Sequence, residues 1–516
     1  MVTAAAVKKV LAGLDDYLLE MVNEHRLAGL AVGVVHDGKL VYTKGIGFAD
    51  IDQHKPMTMD THFRIASISK TFTAIGLMQL WEQGKFQLDD PVNTYLKGLK
   101  VLHEDPHAPP VTFRHMLTHT SGIGEAPSIQ DALRMLVGKD PYFIGLEEEE
   151  KVPLEDIYGG LFITDVPAGQ KWAYANHAFA ILGKLVGDIS GMPFPQYMLE
   201  NVFEPLGMHK TDYRFSERVR GDFAQAYAFK KREFEPIPLK LRALMGAGSV
   251  FSSVNEMALY LAALMNGGAN EYGRVLKAET LQMMMTPQLE TDLRVFGMGL
   301  AFWLNQFGPH LVAGHGGSLP GFISDMKVAP EEKVGVIVFT NTSDMAPEFI
   351  GSEIMYRLLG EPNPDADFPP RGILAQTYDW GRLVGFYGPK PGFLTNARIW
   401  FTYGGEVEVY VSKQNQLSMR GLTPPLNKGF PIYRIDPDDP MLYRGHLKGG
   451  VLDDYPVPVQ FQENGESGVD RVFVMTDQLY KRPKSQSLRF KVNTAAAVLA
   501  GVLGLAVLGK LSKKKK

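Results

Sequence analysis

The chain has 516 residues, enough for two or more cores. Its 45% hydrophobic and 21% charged content is that of a folded globular protein, and a net charge of −4 gives no electrostatic reason to expect nucleic acid as a partner. The absence of cysteine excludes disulfides, thiol nucleophiles and thiolate metal or iron–sulfur centres.

In chain order, Met1 to Tyr17 carries Lys8 and Lys9 and is soon interrupted by Asp15 and Asp16. That pattern predicts an amphipathic first helix rather than a secretion signal, and with it a cytoplasmic location for the folded part. Leu30 to Val35 is an apolar strand, Asp37-Gly38 favours a tight type I′ turn, and Leu40 to Gly45 returns as its partner. Next comes Phe63-Arg64-Ile65-Ala66-Ser67-Ile68-Ser69-Lys70. From Thr71 onward Phe72, Ile75, Met78 and Trp81 recur at helical spacing, with Gly84 placed for a left-handed cap. Ser67 and Lys70, three apart, share one helix face. A serine attacks carbonyls only when a base takes its proton, and a lysine held neutral can be that base. The same residues also describe an N-capping serine with a solvated lysine one turn on.

Leu88 to Val92 reads as a capped turn into another helix. Within Val111 to Ile123, His115 and His119 stand four apart, as metal ligands on one helix face would. His115 and His119 belong to no His-x-His pair, so these histidines are read as packing and turn residues and no metal or cofactor is expected. Glu147 to Lys151 is a charge run read as an exposed insertion. Pro167 to Asn176 is a turn that presents Tyr174 and Asn176, two apart, to one side of an extended segment, and helical spacing resumes over His177 to Ser190.

Met245 to Ser253 is a Gly/Ser turn before a helix with Met257, Leu261 and Leu264, and Phe296 to Leu304 reads as strand. His315-Gly316-Gly317-Ser318 follows, its glycines allowing close backbone approach to a ligand. Ser324 to Ala329 and Val334 to Thr340 form a hairpin, and Phe349 to Leu359 a helix. The resulting division is residues 1–360 as a first domain, 361–374 as a proline-rich linker, 375–490 as a β domain and 491–516 as an apolar, lysine-ended tail. In the β domain Ile399, Phe401 and Tyr403 alternate with Arg398, Trp400 and Thr402, and short strands are expected at Val407 to Val411, Leu417 to Arg420, Val457 to Phe461 and Val469 to Thr476. Thr494 to Gly509 is uncharged and would reach about 24 Å as a helix against a bilayer core of roughly 30 Å. It is read either as a membrane anchor, giving membrane contact through 494–516, or as an Ala/Gly-rich tail.

Ser67-Ile68-Ser69-Lys70, Tyr174-Ala175-Asn176 and His315-Gly316-Gly317, in that order, resemble the three motifs of the serine β-lactamase and penicillin-binding-protein superfamily. Met116 to Ile123 and Gly246 to Ser253 resemble two further segments of its class C-like branch. The resemblance covers roughly the first 360 residues. It implies an α+β fold, an antiparallel sheet flanked by helices, with Ser67 as acylated nucleophile and Lys70 and Tyr174 as the base pair. Asn176, Gly316, Gly317 and Ser318 would contact substrate, with an oxyanion hole from the Ser67 and Ser318 amides. His315 stands where most β-lactamases and D,D-peptidases have lysine, and imidazole is largely neutral at pH 7. That points to the branch with D-aminopeptidases and related esterases, which often carries a lipocalin-like barrel. The expected activity is therefore metal-free acyl transfer on a small ester or peptide substrate. The alternatives are β-lactam hydrolysis or penicillin binding, and a catalytically silent, membrane-tethered scaffold.

Overall fold

The computed structural model describes residues 1–136, 139–145, 153–366, 368–369, 380–447, 455–463 and 468–491. The chain forms two compact units, Met1–Ala366 and Asp367–Lys516.

The first unit is built on one eight-stranded sheet whose order is Gly297–Met298, Trp303–Phe307, His310–Leu319, Phe322–Ala329, Val334–Thr340, Gly29–His36, Lys39–Asp50, Lys55–Pro56. Every neighbouring pair is antiparallel. Asp37 and Gly38 both have positive φ, as the tight hairpin between Gly29–His36 and Lys39–Asp50 requires. Successive side chains of a strand point to opposite faces. Leu30, Val32 and Val34 accordingly join Val334, Val336 and Val338 in a core with Leu14, Leu18, Ile350 and Ile354. Ala31, Val35, Ile337 and Phe339 join the larger core on the other face. Covering both faces turns these strands into nearly unbroken apolar runs.

The helix Ser69–Glu82 lies within that larger core, with Phe72, Ile75, Leu77 and Met78 all buried. It is apolar almost all round, as a helix surrounded by protein must be. Gly84, at φ 69°, ends it, with the Lys85 amide donating back to the Leu80 carbonyl.

The second unit is a closed antiparallel barrel of consecutive strands, Gly385–Gly388, Val407–Val411, Leu417–Arg420, Phe430–Arg434, Leu442–His446, Pro456–Glu463, Val469–Val474 and Asp477–Arg482. Closure is made by the first strand pairing with the last, Phe386 opposite Arg482, which leaves no open sheet edge.

Several expectations from the sequence are corrected. The first helix is two, Ala4–Leu11 and Leu14–His25, because the chain breaks at Ala12-Gly13. Leu88 to Val92 leads only into the short turn Val92–Thr94. Phe296 to Leu304 is interrupted, since Ala301 adopts φ 70° and its amide donates to the Leu117 carbonyl. Ala397–Tyr403 is a helix, not a strand: Ile399 and Tyr403, four apart, are the buried pair, and Gly404 and Gly405, both at positive φ, stop it. Among the described residues no helix is long and apolar enough to cross a membrane. The Glu147 to Lys151 run and the 494–516 tail lie outside the described residues.

Candidate active site

The chain enters the site along Phe63–Arg64, which pairs with Phe251–Ser252. It then turns sharply through Ala66–Ile68 into the Ser69–Glu82 helix. Ala66 takes φ 50°, a left-handed conformation that costs a side-chain-bearing residue energy and is held by its surroundings. Here those surroundings include the Ser69 hydroxyl, which donates to the Ala66 carbonyl at 2.5 Å and accepts from the Val250 amide at 3.0 Å. Ser67 is left half-buried at the tip of this turn.

Lys70 is fully buried. Its Nζ donates to Ser67 Oγ at 3.0 Å, to Asn176 Oδ1 at 2.8 Å and to the Ala247 carbonyl at 2.7 Å. Asn176 is the first residue of the helix Asn176–Ser190, and extended Ala175 before it brings Tyr174 to the same place. The Tyr174 ring lies 4.8 Å from Lys70 Nζ. It stacks on His119 at 4.4 Å between ring centres and on Trp303 at 6.1 Å, and it stands 6.2 Å from His315.

His119, considered above for a metal, positions Tyr174 instead. Its carbonyl accepts from the Ala173 amide and its Nδ1 from the Ala175 amide, so it grips the chain on both sides of the tyrosine. His115 takes part in the capping box of the short helix Phe113–Leu117. Among the described residues no group of three or more acidic or imidazole side chains could hold a metal ion.

His315 is on the strand His310–Leu319. That strand pairs with Trp303–Phe307 only as far as Gly314, whereas its pairing with Phe322–Ala329 continues to Leu319. From His315 to Ser318 one edge is therefore free of strand partners. Gly317 presses on the Ser67 turn: a Cβ there would lie 2.3 Å from the Ile65 carbonyl oxygen and 2.2 Å from Ser324 Oγ. At Gly316 the nearest atom to a Cβ is 3.8 Å away, and Gly316 and Ser318 are exposed. The Gly-Gly pair thus does two things, one open position toward solvent and one closed against the nucleophile turn.

The His315 Nδ1–H donates to the Gly316 carbonyl at 2.6 Å, which leaves Nε2 as the lone-pair nitrogen, buried and without a hydrogen-bond partner. Burial, and then the neighbouring Lys70 charge, push its pKa down to about 3, so the ring is neutral across the physiological range.

Two residues sequence reasoning missed complete the wall. Glu125, largely buried, accepts from Asn176 Nδ2 at 3.3 Å through Oε2. Its carbonyl accepts from His177 Nε2–H at 3.0 Å, and the Tyr158 hydroxyl donates to His177 Nδ1 at 2.6 Å. Trp303 borders both Tyr174 and His315. Neither belongs to a short local motif; Glu125 lies just beyond Met116 to Ile123, and only that adjacency could have marked it.

Comparison with known proteins gives a consistent picture. The family model described as Beta-lactamase matches residues 14–353. A putative penicillin-binding protein PbpX of Bacillus subtilis is 26% identical over 356 residues, 67% of this chain and 78% of that protein. Esterase EstB of Burkholderia gladioli is 30% identical over 277 residues, 51% of this chain and 66% of that one. The structure of the octameric penicillin-binding protein homologue from Pyrococcus abyssi superposes with a TM-score of 0.60 at 25% identity, covering 91% of this chain and 99% of that one.

Proposed function

We propose that this chain, which belongs to the beta-lactamase family, is a serine hydrolase that transfers an acyl group from an ester or small amide first to Ser67 and then to water. The observation that carries this reading is the 3.0 Å hydrogen bond between Ser67 Oγ and the buried Lys70 Nζ.

In the first half-reaction Ser67 Oγ attacks the substrate carbonyl while its proton passes to the Lys70 and Tyr174 pair. The C–O or C–N bond of the tetrahedral intermediate then breaks, and the leaving alcohol or amine takes that proton. The amides of Ser67 and Ser318 hold the oxyanion, a charge that exists only at this stage, so their contribution falls on the barrier. Asn176 orients the substrate, and the neutral His315 offers a lone pair at Nε2. In the second half-reaction water repeats the attack on the acyl ester and releases Ser67. Lys70, held by Asn176 and Ala247 as well as by Ser67, is fixed for both steps.

β-Lactam hydrolysis has weaker support, because His315 supplies no cation for the substrate carboxylate; slow or absent nitrocefin turnover is expected. The test of the main reading is mass spectrometry of the intact chain after exposure to a fluorophosphonate and to p-nitrophenyl acetate. An adduct on Ser67, abolished in Ser67→Ala, is expected. A folded wild-type chain that remains unlabelled and turns over neither esters nor amides would remove the hydrolase reading and leave the scaffold.

A further inference from the structure

The helix Asn176–Ser190 opens without a side-chain cap of its own: Ala175 precedes it, and no acidic residue stands in its first turn. Yet the first residue of this helix holds its amide oxygen 2.8 Å from Lys70 Nζ. The next residue supplies the anchor. His177 is 1% exposed, and both of its ring nitrogens are bonded. Nδ1 accepts from the Tyr158 hydroxyl at 2.6 Å, which places the ring proton on Nε2, and that N–H donates to the Glu125 carbonyl at 3.0 Å. Burial pushes its pKa down to about 4, so near neutral pH the uncharged ring keeps one donor and one acceptor.

Two consecutive residues therefore hold Glu125 from its two ends. Asn176 Nδ2 donates to the carboxylate at 3.3 Å, and His177 donates to the backbone carbonyl. The same Asn176 amide turns its oxygen to Lys70, so its orientation depends on where the Glu125 carboxylate stands, and that depends on the backbone His177 grips. Packing keeps the imidazole in place. Tyr142 meets it edge-on at 4.8 Å between ring centres and Phe162 lies at 5.7 Å. Ile123 and Ala126, on either side of Glu125, are fully buried. From Ser67 Oγ one line of hydrogen bonds thus runs through Lys70, Asn176 and Glu125 to His177 and Tyr158.

We propose that His177 is a positioning residue for the acyl transfer: its Nε2–H bond to the Glu125 carbonyl holds the Asn176 amide with its oxygen on Lys70, and the Tyr158 hydroxyl reinforces the tautomer that makes this bond. This rests on the acyl-transfer reading and adds no bond-making step to it. The two ring nitrogens then differ in consequence. Loss of the Nε2 bond disturbs the reaction as well as the fold, whereas loss of the Nδ1 bond disturbs the fold alone.

Two replacements in the full chain separate the bonds, because a glutamine amide nitrogen reaches the place of Nε2 and an asparagine amide oxygen that of Nδ1. His177→Gln keeps a donor for the Glu125 carbonyl, and His177→Asn keeps an acceptor for Tyr158. Each deletes one buried hydrogen bond, so both should melt at similarly lowered temperatures. A merely structural histidine would make their activities fall alike. Positioning instead slows fluorophosphonate labelling of Ser67 about tenfold to a hundredfold in His177→Asn, the scale of a displaced catalytic group, and less than about threefold in His177→Gln. Equal slowing in the two, or none in His177→Asn, overturns the proposal. Crystal structures of the variants give an arm that needs no turnover. The Asn176 oxygen should leave Lys70 Nζ in His177→Asn and stay within hydrogen-bond distance in His177→Gln; an unmoved Asn176 in the first overturns the proposal as well. If His177→Asn does not fold, lactic acid in place of Ala126, introduced by nonsense suppression, turns the 125–126 peptide into an ester and weakens the same carbonyl with the side chains intact. Labelling should again slow, and an unchanged rate overturns the proposal. An unlabelled wild-type Ser67 with the Asn176 shift present defeats the hydrolase reading alone; a labelled Ser67 with no difference between the variants defeats the positioning alone.

Discussion

Among single residues the sharpest contrasts concern His315 and the two glycines after it. With a pKa near 3, His315 does not titrate between pH 5 and 8. Replacing it with glutamine should lower kcat/KM about a hundredfold, the scale of a lost proton-transfer or polar partner, while any inflection in that pH range stays where it was. A pH profile of ester hydrolysis checks this, and an inflection that disappears in His315→Gln would show that the imidazole titrates there. Gly316→Ala should fold and melt like wild type, because a Cβ has 3.8 Å to its nearest neighbour. Gly317→Ala places a Cβ 2.3 Å from the Ile65 carbonyl oxygen, a backbone atom that cannot rotate away. It should cost about 1–3 kcal/mol, the range of overpacked sites, and slow Ser67 labelling by displacing the nucleophile turn. Thermal melts and labelling rates of the pair give the comparison. The residues that meet around Lys70 were readable because Ser67, Tyr174, Asn176 and His315 sit in short motifs. The Glu125 side chain was not, and although Ala247 lies within Gly246 to Ser253, a segment the resemblance picked out, nothing in that segment marks its carbonyl as a partner of Lys70.

The barrel supplies a test at the level of elements. Glu406 is buried just ahead of the strand Val407–Val411, and its carboxylate accepts from the Ser487 hydroxyl at 2.9 Å, the Leu488 amide at 2.7 Å and the Arg489 amide at 3.1 Å. One side chain thereby ties the segment after the last strand to the start of the second. Glu406→Ala leaves those donors unsatisfied in a dry position and should destabilise the barrel by about 2–4 kcal/mol. Hydrogen exchange over 487–490 should accelerate well before exchange in the central strands; unchanged protection there would disprove the tie. The elements themselves were unevenly legible. The strand pair Gly29–His36 and Lys39–Asp50 announced itself by its turn dipeptide, and the Ser69–Glu82 helix by its spacing. Ala397–Tyr403 misled because, over seven residues, apolar side chains at 399, 401 and 403 satisfy a period of two while 399 and 403 also satisfy a helical turn. The barrel strands Gly385–Gly388, Phe430–Arg434, Leu442–His446 and Asp477–Arg482 are short, and glycine, proline or charged residues break their alternation, so pairing rather than pattern defines them.

At the scale of the first unit, the sign of its acid response follows from which groups are buried in which state. His62, His115, His177 and His315 all have pKa values held below the ordinary imidazole value, chiefly by burial, His177 at about 4 and His315 at about 3. Below about pH 6.5 the unfolded chain protonates these rings while the folded chain does not. The unfolded state then binds more protons, so stability falls as pH drops from about 6.5 toward 4. Asp325, buried beside Lys327 and raised to about 6, acts in the opposite sense, because the folded chain keeps a proton that the unfolded chain has already lost. Glu256, also raised by burial, works with it. The displacements of His177 and His315 together exceed that of Asp325, and His62 and His115 add to them. The melting temperature of the full chain, followed by tryptophan fluorescence, should therefore decline steadily from pH 7 to pH 5, and His315→Gln should flatten the decline by removing one of its largest contributors. A melting temperature that holds or rises toward pH 5 would mean that the buried carboxyl groups, not the histidines, set the balance.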